Sequence, residues 1–244
     1  AWEKSGIIKS NKPIVTAATG KAMQVIKKIA KEKNSFFYFV DARKIAGVSC
    51  SLEGTRFQFE GKKYFTTLIG AHQAVNAALA IKAINVLREV GGVLLPQRAL
   101  SKGLKKVKWP GRMQIISHKP LVVIDGAHNP HGVTALIAAT KTIFKRRKII
   151  LVIGVLKDKD YEKMVTLFSK LKPKTVVACQ PVTERALNAS ALAELFKQQN
   201  PRVVLQPNVR KAINKAKSIA GEKDVILITG SLYTVGEALA YLMR

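Results

Sequence analysis

Asp125, His128 and Asn129 fall within five residues, in Asp125-Gly126-Ala127-His128-Asn129-Pro130, directly after the apolar run Leu121-Val122-Val123-Ile124. Arg112 lies shortly upstream in Pro110-Gly111-Arg112-Met113-Gln114. A carboxylate can accept from sugar hydroxyls, a guanidinium fork pairs with phosphate, and an imidazole can donate or accept. The apolar run reads as a strand covered on both faces. Asn129-Pro130 reads as an N-cap followed by proline at the first helical position. This corner therefore belongs outside the carboxyl end of a strand in an open α/β sheet, where nucleotides and phosphates bind. On residue types alone, Asp, Gly, Asn and Pro are also ordinary turn formers.

Elements that would position this corner follow from the hydrophobic pattern. Strands are expected at 14–18 and 36–40 around a helix at 21–33, a βαβ unit. Alternation with period two in Thr55 to Glu60, then Gly61-Lys62, predicts a hairpin reaching Tyr64 and Phe65, followed by helices at 72–88 and 96–107. After Pro110-Gly111, strands are expected at 112–117, 121–125, 148–154, 175–179, 203–206 and 224–229. Helices are expected at 130–144, 161–171, 189–199, 209–220 and 232–243. This alternation predicts a mostly parallel sheet wrapped on both faces. Its first two strands have too short a connection for a parallel crossover, so they should be antiparallel.

Composition narrows the function classes. The 244 residues, 48% hydrophobic, suffice for one complete domain and part of another. No apolar run is long enough to span a bilayer, and no signal-peptide pattern stands at the N-terminus. Cys50 and Cys179 lie far apart without metal-ligand spacing, as expected of buried, unbridged thiols in a reducing cytoplasm. Forty-two Lys and Arg against fifteen Asp and Glu give a net charge of +27, which favours a polyanionic partner. The cations are scattered along amphipathic helices, however, with neither an arginine-rich arm nor aromatic interleaving. A solvated lysine surface explains that distribution, and a positive field can also steer anionic substrates.

The run PGRMQIIS followed by DGAHNPHG resembles the junction and start of the C-terminal domain in the folylpolyglutamate synthase/dihydrofolate synthase family, part of the Mur ligase superfamily. Three further segments resemble the same family in the same order: Glu3 to Lys9, Gly70 to Ala77, and Thr229-Gly230-Ser231-Leu232-Tyr233. The resemblance implies an α/β chain with an incomplete central ATPase domain at 1–109 and a complete Rossmann-like glutamate ligase domain at 110–244. The family's glycine-rich loop ending Gly-Lys-Ser or Gly-Lys-Thr does not occur. With the start at Ala1-Trp2-Glu3-Lys4, inside a family motif, the expectation is a C-terminal portion that is inactive alone.

The implied reaction is ATP-dependent, Mg²⁺-assisted ligation of L-glutamate to folate or dihydropteroate through an acyl phosphate, by a monomeric cytoplasmic enzyme. No membrane and no specific nucleic acid would be involved. Lys4 takes the position of a carbamylated lysine that holds Mg²⁺, because carbamylation turns an ammonium into an oxygen ligand. Asn76, which shares a helix face with His72, takes the adenine-side position. Arg112 falls on the nucleotide phosphates, Asp125 on the ribose, and His128 near the nucleotide. If these corners are open to solvent, truncating them should change stability little. Lys159 and Ser231, each following a predicted strand, take positions that hold the carboxylates of the incoming glutamate, with the helix start after Ser231 as a cradle. Arg185, in Glu184-Arg185-Ala186, matches another family segment and carries no assigned role. The alternative reading is a non-catalytic basic α/β module that binds nucleic acid.

Overall fold

In a computed structural model, residues 2–92, 95–199 and 202–243 are described, and they fall into two compact units. The first comprises residues 1–49, 54–67 and 71–107, and the second 50–53, 68–70 and 108–244.

In the first unit a short helix α1 (Trp2–Ser5) precedes β1 (Ile14–Thr16), α2 (Gly20–Glu32) and β2 (Phe37–Phe39). β1 and β2 pair in parallel, as the βαβ pattern predicts. β1 stops two residues earlier than expected because the Thr16 hydroxyl accepts the Ala18 N–H and turns the backbone. β3 (Ala46–Ser51), β4 (Gly54–Phe59) and β5 (Lys62–Thr66) form a separate sheet in that order. The β4–β5 turn is Glu60-Gly61, with φ of 48° and 75°, the double positive φ that a two-residue hairpin needs. Phe57 and Tyr64 face each other in register with ring centroids 5.6 Å apart. They pack with Ala74, Ala78 and Ile81 of α3 (Ala71–Gly91) and Leu100 of α4 (Gln97–Lys106).

The second unit holds six strands among the described residues: β6 (Gln114–His118), β7 (Leu121–Ile124), β8 (Ile149–Ile153), β9 (Thr175–Ala178), β10 (Val203–Leu205) and β11 (Val225–Thr229). They lie in the order β10-β9-β8-β11-β7-β6, and every pairing is parallel except β6–β7. Helices α5 (Pro130–Ile143), α6 (Tyr161–Ser169) and α7 (Ala189–Lys197) cover one face, packing Leu136, Met164, Phe168 and Phe196 on the sheet. Helices α8 (Val209–Ile219) and α9 (Leu232–Leu242) cover the other through Ile213, Val235 and Ala238. All residues of β7, β8, β9 and β11 are buried, which is why these strands read as unbroken apolar runs.

Chain reversal at β11 shapes the site. β7 leads into α5 on one face, while its neighbour β11 leads into α9 on the other, so a crevice opens between their carboxyl ends. β6 begins two residues later than predicted. Gly111 and Met113 both adopt left-handed backbone, φ 71° and 42°, so Arg112 sits in a turn before the strand rather than in it. Cys179 is buried, but Cys50 is only partly so: β3 is a largely exposed strand.

Candidate nucleotide and amino-acid site

The corner after β7 is held from within. Asp125 donates its N–H to Ile228 O across to β11 at 3.0 Å, which continues the strand pairing by one residue. Its carboxylate oxygens accept from the Met113 N–H and the Ala127 N–H, both at 2.9 Å. Met113, at φ 42°, occupies a conformation that costs a non-glycine residue roughly 1–2 kcal/mol, and the Asp125 bond helps to hold it there. Asp125 is only 7% exposed, against the expectation of an open corner. Burial pushes its carboxyl above the usual range, although the two N–H groups, Arg112 and His128 pull in the opposite direction. The nearest function of this carboxylate is to brace the turn that carries Arg112.

Two glycines make room for that turn. Gly126 donates to Gly111 O at 2.8 Å, and Gly111 donates to the Gln114 side-chain oxygen at 2.9 Å. A Cβ on Gly126 would lie 2.6 Å from Arg112 Nη1 and 2.7 Å from Leu232 Cδ2. The guanidinium therefore lies directly over the Gly126 backbone, beside the first residue of α9, and so reaches the β7–β11 crevice. His128 Nδ1 is 2.7 Å from Gly126 O, which requires a proton on Nδ1, and Nε2 has no hydrogen-bond partner among the described residues. Asn129 caps α5 through the Gly132 N–H at 2.8 Å, with Pro130 at the first turn. His131 is exposed.

Ser231 differs from the open hydroxyl that the sequence suggests. It is the N-cap of α9 and fully buried: Oγ accepts the Thr234 N–H at 3.0 Å and lies 2.9 Å from Thr234 Oγ1. Thr234 Oγ1 donates to Gly154 O at 2.9 Å, so the hydroxyl pair locks α9 onto the end of β8. Gly230 fits the same junction at φ 108°, where a Cβ would lie 2.6 Å from Gly154 O.

At the same sheet edge, the loops after β8 and β9 are joined by the Leu156–Ala186 bridge and by Lys157 N–H to Arg185 O at 2.9 Å. Between them Asp158 Oδ2 is shared by Arg185 Nη2 at 2.5 Å and Lys159 Nζ at 3.3 Å. The Arg185 hydrogen bond, aided by Lys159, holds the Asp158 carboxyl at about 2. Asp158 and Tyr233 in turn raise the Arg185 guanidinium. Arg185 is the residue that sequence reasoning left without a role. Its only local signal is the Glu184-Arg185-Ala186 segment, and its partner lies 27 residues away.

Lys4 and Asn76 belong to the first unit, whereas Arg112, Asp125, His128, Lys159 and Ser231 belong to the second. Lys4 is exposed on α1 with Nζ 3.9 Å from Glu3 Oε1. Asn76, exposed on α3, donates Nδ2 to Gln73 Oε1 at 3.0 Å, and Gln73 Nε2 lies 3.0 Å from His72 Nε2. This chain of hydrogen bonds fixes the orientation of the Asn76 amide. No cluster of three or more His, Cys, Asp or Glu side chains suited to a metal occurs among the described residues.

No helix among the described residues is long and apolar enough to cross a membrane. The chain is 35% identical over 249 residues to the dihydrofolate synthase/folylpolyglutamate synthase of Bacillus subtilis, an alignment covering 97% of this chain and 56% of that protein. The folylpolyglutamate synthase of Mycobacterium tuberculosis complexed with ADP superposes with a TM-score of 0.88 at 29% identity, covering 100% of this chain and 58% of that one. A bifunctional folylpolyglutamate synthase/dihydrofolate synthase with Mn, AMPPNP and L-glutamate bound gives 0.79 at 26% identity, covering 99% and 56%. The chain thus spans little more than half the length of these relatives. Residues 111–232 match the family pattern described as Mur ligase, glutamate ligase domain, and with the buried Asp125 brace and the glycine-backed Arg112 at the head of that segment, the chain belongs to the Mur ligase family.

Proposed function

We propose that the protein is part of a folylpolyglutamate synthase/dihydrofolate synthase that joins L-glutamate to folate or dihydropteroate at the expense of ATP. The observation that carries this reading is Arg112 lying over Gly126 in the crevice beside β11, on a turn fixed by Asp125. A guanidinium held there by backbone can meet phosphate oxygens with little ordering cost. His128, with its Nδ1–H committed to Gly126 O, leaves Nε2 to meet the same nucleotide. Asp125 offers the ribose the second lone-pair direction of each oxygen.

The acceptor carboxylate attacks the γ-phosphorus of ATP, releasing ADP and forming an acyl phosphate. The glutamate amine then attacks the acyl carbon, loses a proton and expels phosphate. The side chains' contribution is charge neutralisation and positioning. Lys159 and Arg185 are both held on the Asp158 carboxylate, which positions the two cations to meet a glutamate carboxylate. Ser231 acts at one remove by fixing the start of α9. When bound, Mg²⁺ would neutralise phosphate charge, with Lys4 holding it as its carbamate.

Because no Gly-Lys-Ser or Gly-Lys-Thr loop occurs in these 244 residues, this chain alone should not turn over ATP. A chimera in which residues 1–244 replace the matching part of the Bacillus subtilis relative tests the reading. It should release ADP in a manner dependent on both glutamate and a pteroate acceptor. A folded chimera with no glutamate-dependent ADP release overturns the assignment.

A further inference from the structure

The ligase reading leaves the charge of +27 largely unused, and the second unit concentrates part of it far from the Arg112 corner. At the amino-terminal edge of the six-stranded sheet lies a cavity of about 550 Å³, within the range of small-molecule sites. Its lining includes Lys119 from the β6–β7 turn, Arg147 from the segment before β8, and Lys217 and Lys223 flanking the turn that enters β11. His118 adds an imidazole, and Glu222 is the one acid in the lining. Five-residue strands separate this edge from the Asp125 edge by roughly 16 Å.

The four cations are not consumed by neighbours: none enters an ion pair among the described residues. The acid behind the turn, Asp224, is already engaged, with Oδ2 2.6 Å from Lys174 Nζ and 2.9 Å from Gly221 N. Arg147 also continues the run Lys145-Arg146-Arg147-Lys148, which extends the positive field beyond the cavity mouth. The carbonyl ends of α5 and α8 point to this edge and oppose an anion with about half a charge each, which four full cations exceed. Lys217, in the last turn of α8, is favoured by that helix end, but Lys119, Arg147 and Lys223 lie outside any helix and gain nothing from it.

We propose that this cavity binds a small anion with several closely spaced negative charges, a polyphosphate group, independently of the ligase reaction. Four cations converging on one open pocket suit a compact tri- or tetra-anion, whereas a nucleic-acid backbone would track a longer groove. Calorimetric titration of the 244-residue chain with inorganic tripolyphosphate, without metal, tests it. Saturable binding is expected, weakened about fivefold by Arg147→Ser and by Lys217→Ser, the scale of an exposed charge pair. Removing the acid with Glu222→Gln should tighten it by a similar factor. All three positions are exposed, so the variants should keep the parent melting temperature.

An ATP arm separates the sources of the phosphate. Equal sensitivity of ATP and tripolyphosphate to these variants assigns recognition to the phosphates alone, and a tighter, equally sensitive ATP site adds a nucleoside contribution. Absence of saturable tripolyphosphate binding at low salt overturns the proposal, as does binding indifferent to all three variants. It also fails if an oligonucleotide of mixed sequence binds through these residues while tripolyphosphate does not.

Discussion

Arg112 occupies the space that a side chain on Gly126 would need, its Nη1 lying 2.6 Å from where that Cβ would be. Gly126 is thus required less for a turn than for the close passage of a guanidinium across backbone. In the chimera, Gly126→Ala should raise the KM for ATP much as Arg112→Ala does, by about tenfold for a charge-assisted contact. The two nearest atoms are side-chain ends, but Gly111 O of the backbone would lie at 3.3 Å, so the loss of stability should be about 1–3 kcal/mol. Unchanged ATP kinetics in a folded Gly126→Ala chimera would remove Arg112 from the nucleotide.

Asp125 should prove structural as well as functional. Asp125→Ala strands two buried backbone N–H groups and should destabilise the chain by about 2–4 kcal/mol in denaturant unfolding. That differs from the small effect expected of an open corner.

The pH response of Asp125 follows from its raised folded-state pKa. As pH falls toward that value the folded state takes up a proton before the unfolded state does, so wild type gains stability relative to Asp125→Asn, and the gain levels off below the ordinary value of 3.8. Unfolding curves at several pH values between 7 and about 4 would reveal a constant difference if burial does not govern this carboxyl.

For the amino-acid side, Lys159→Ala and Arg185→Ala should each raise the KM for glutamate about tenfold in the chimera while leaving that for ATP within about twofold. Ser231→Ala should instead lower stability by about 1 kcal/mol through loss of the α9 cap, with a smaller effect on glutamate. Equal losses for both substrates in the Lys159 and Arg185 variants would indicate a displaced loop rather than a lost contact.

Much of the second unit was legible because its signals are local. Unbroken apolar runs announced β7, β8 and β11, the short link at Lys119-Pro120 implied the antiparallel β6–β7 pair, and Asn129-Pro130 announced the start of α5. What escaped was set by partners distant in sequence. Ser231 is buried because Gly154, 77 positions earlier, approaches Gly230 backbone to backbone. Arg112 left its strand because two flanking residues turn left-handed, and one of them, Met113, does so against its own preference with Asp125 holding it. Arg185 acquires its setting only when the loop carrying Asp158 is folded against it.

Insertion of β11 between β7 and β8 has a consequence for how the chain is made. Val225 pairs with Leu121 on one side and Ile149 on the other, so a strand in the middle of the sheet is synthesised after β6 to β10. Until then β7 and β8 have no hydrogen-bonded neighbour between them, and joining them requires pairings 76 and 104 residues apart in sequence. A nascent chain stopped before residue 225 should therefore leave β7 and β8 open to protease on their facing edges, whereas extension past residue 229 should protect both together.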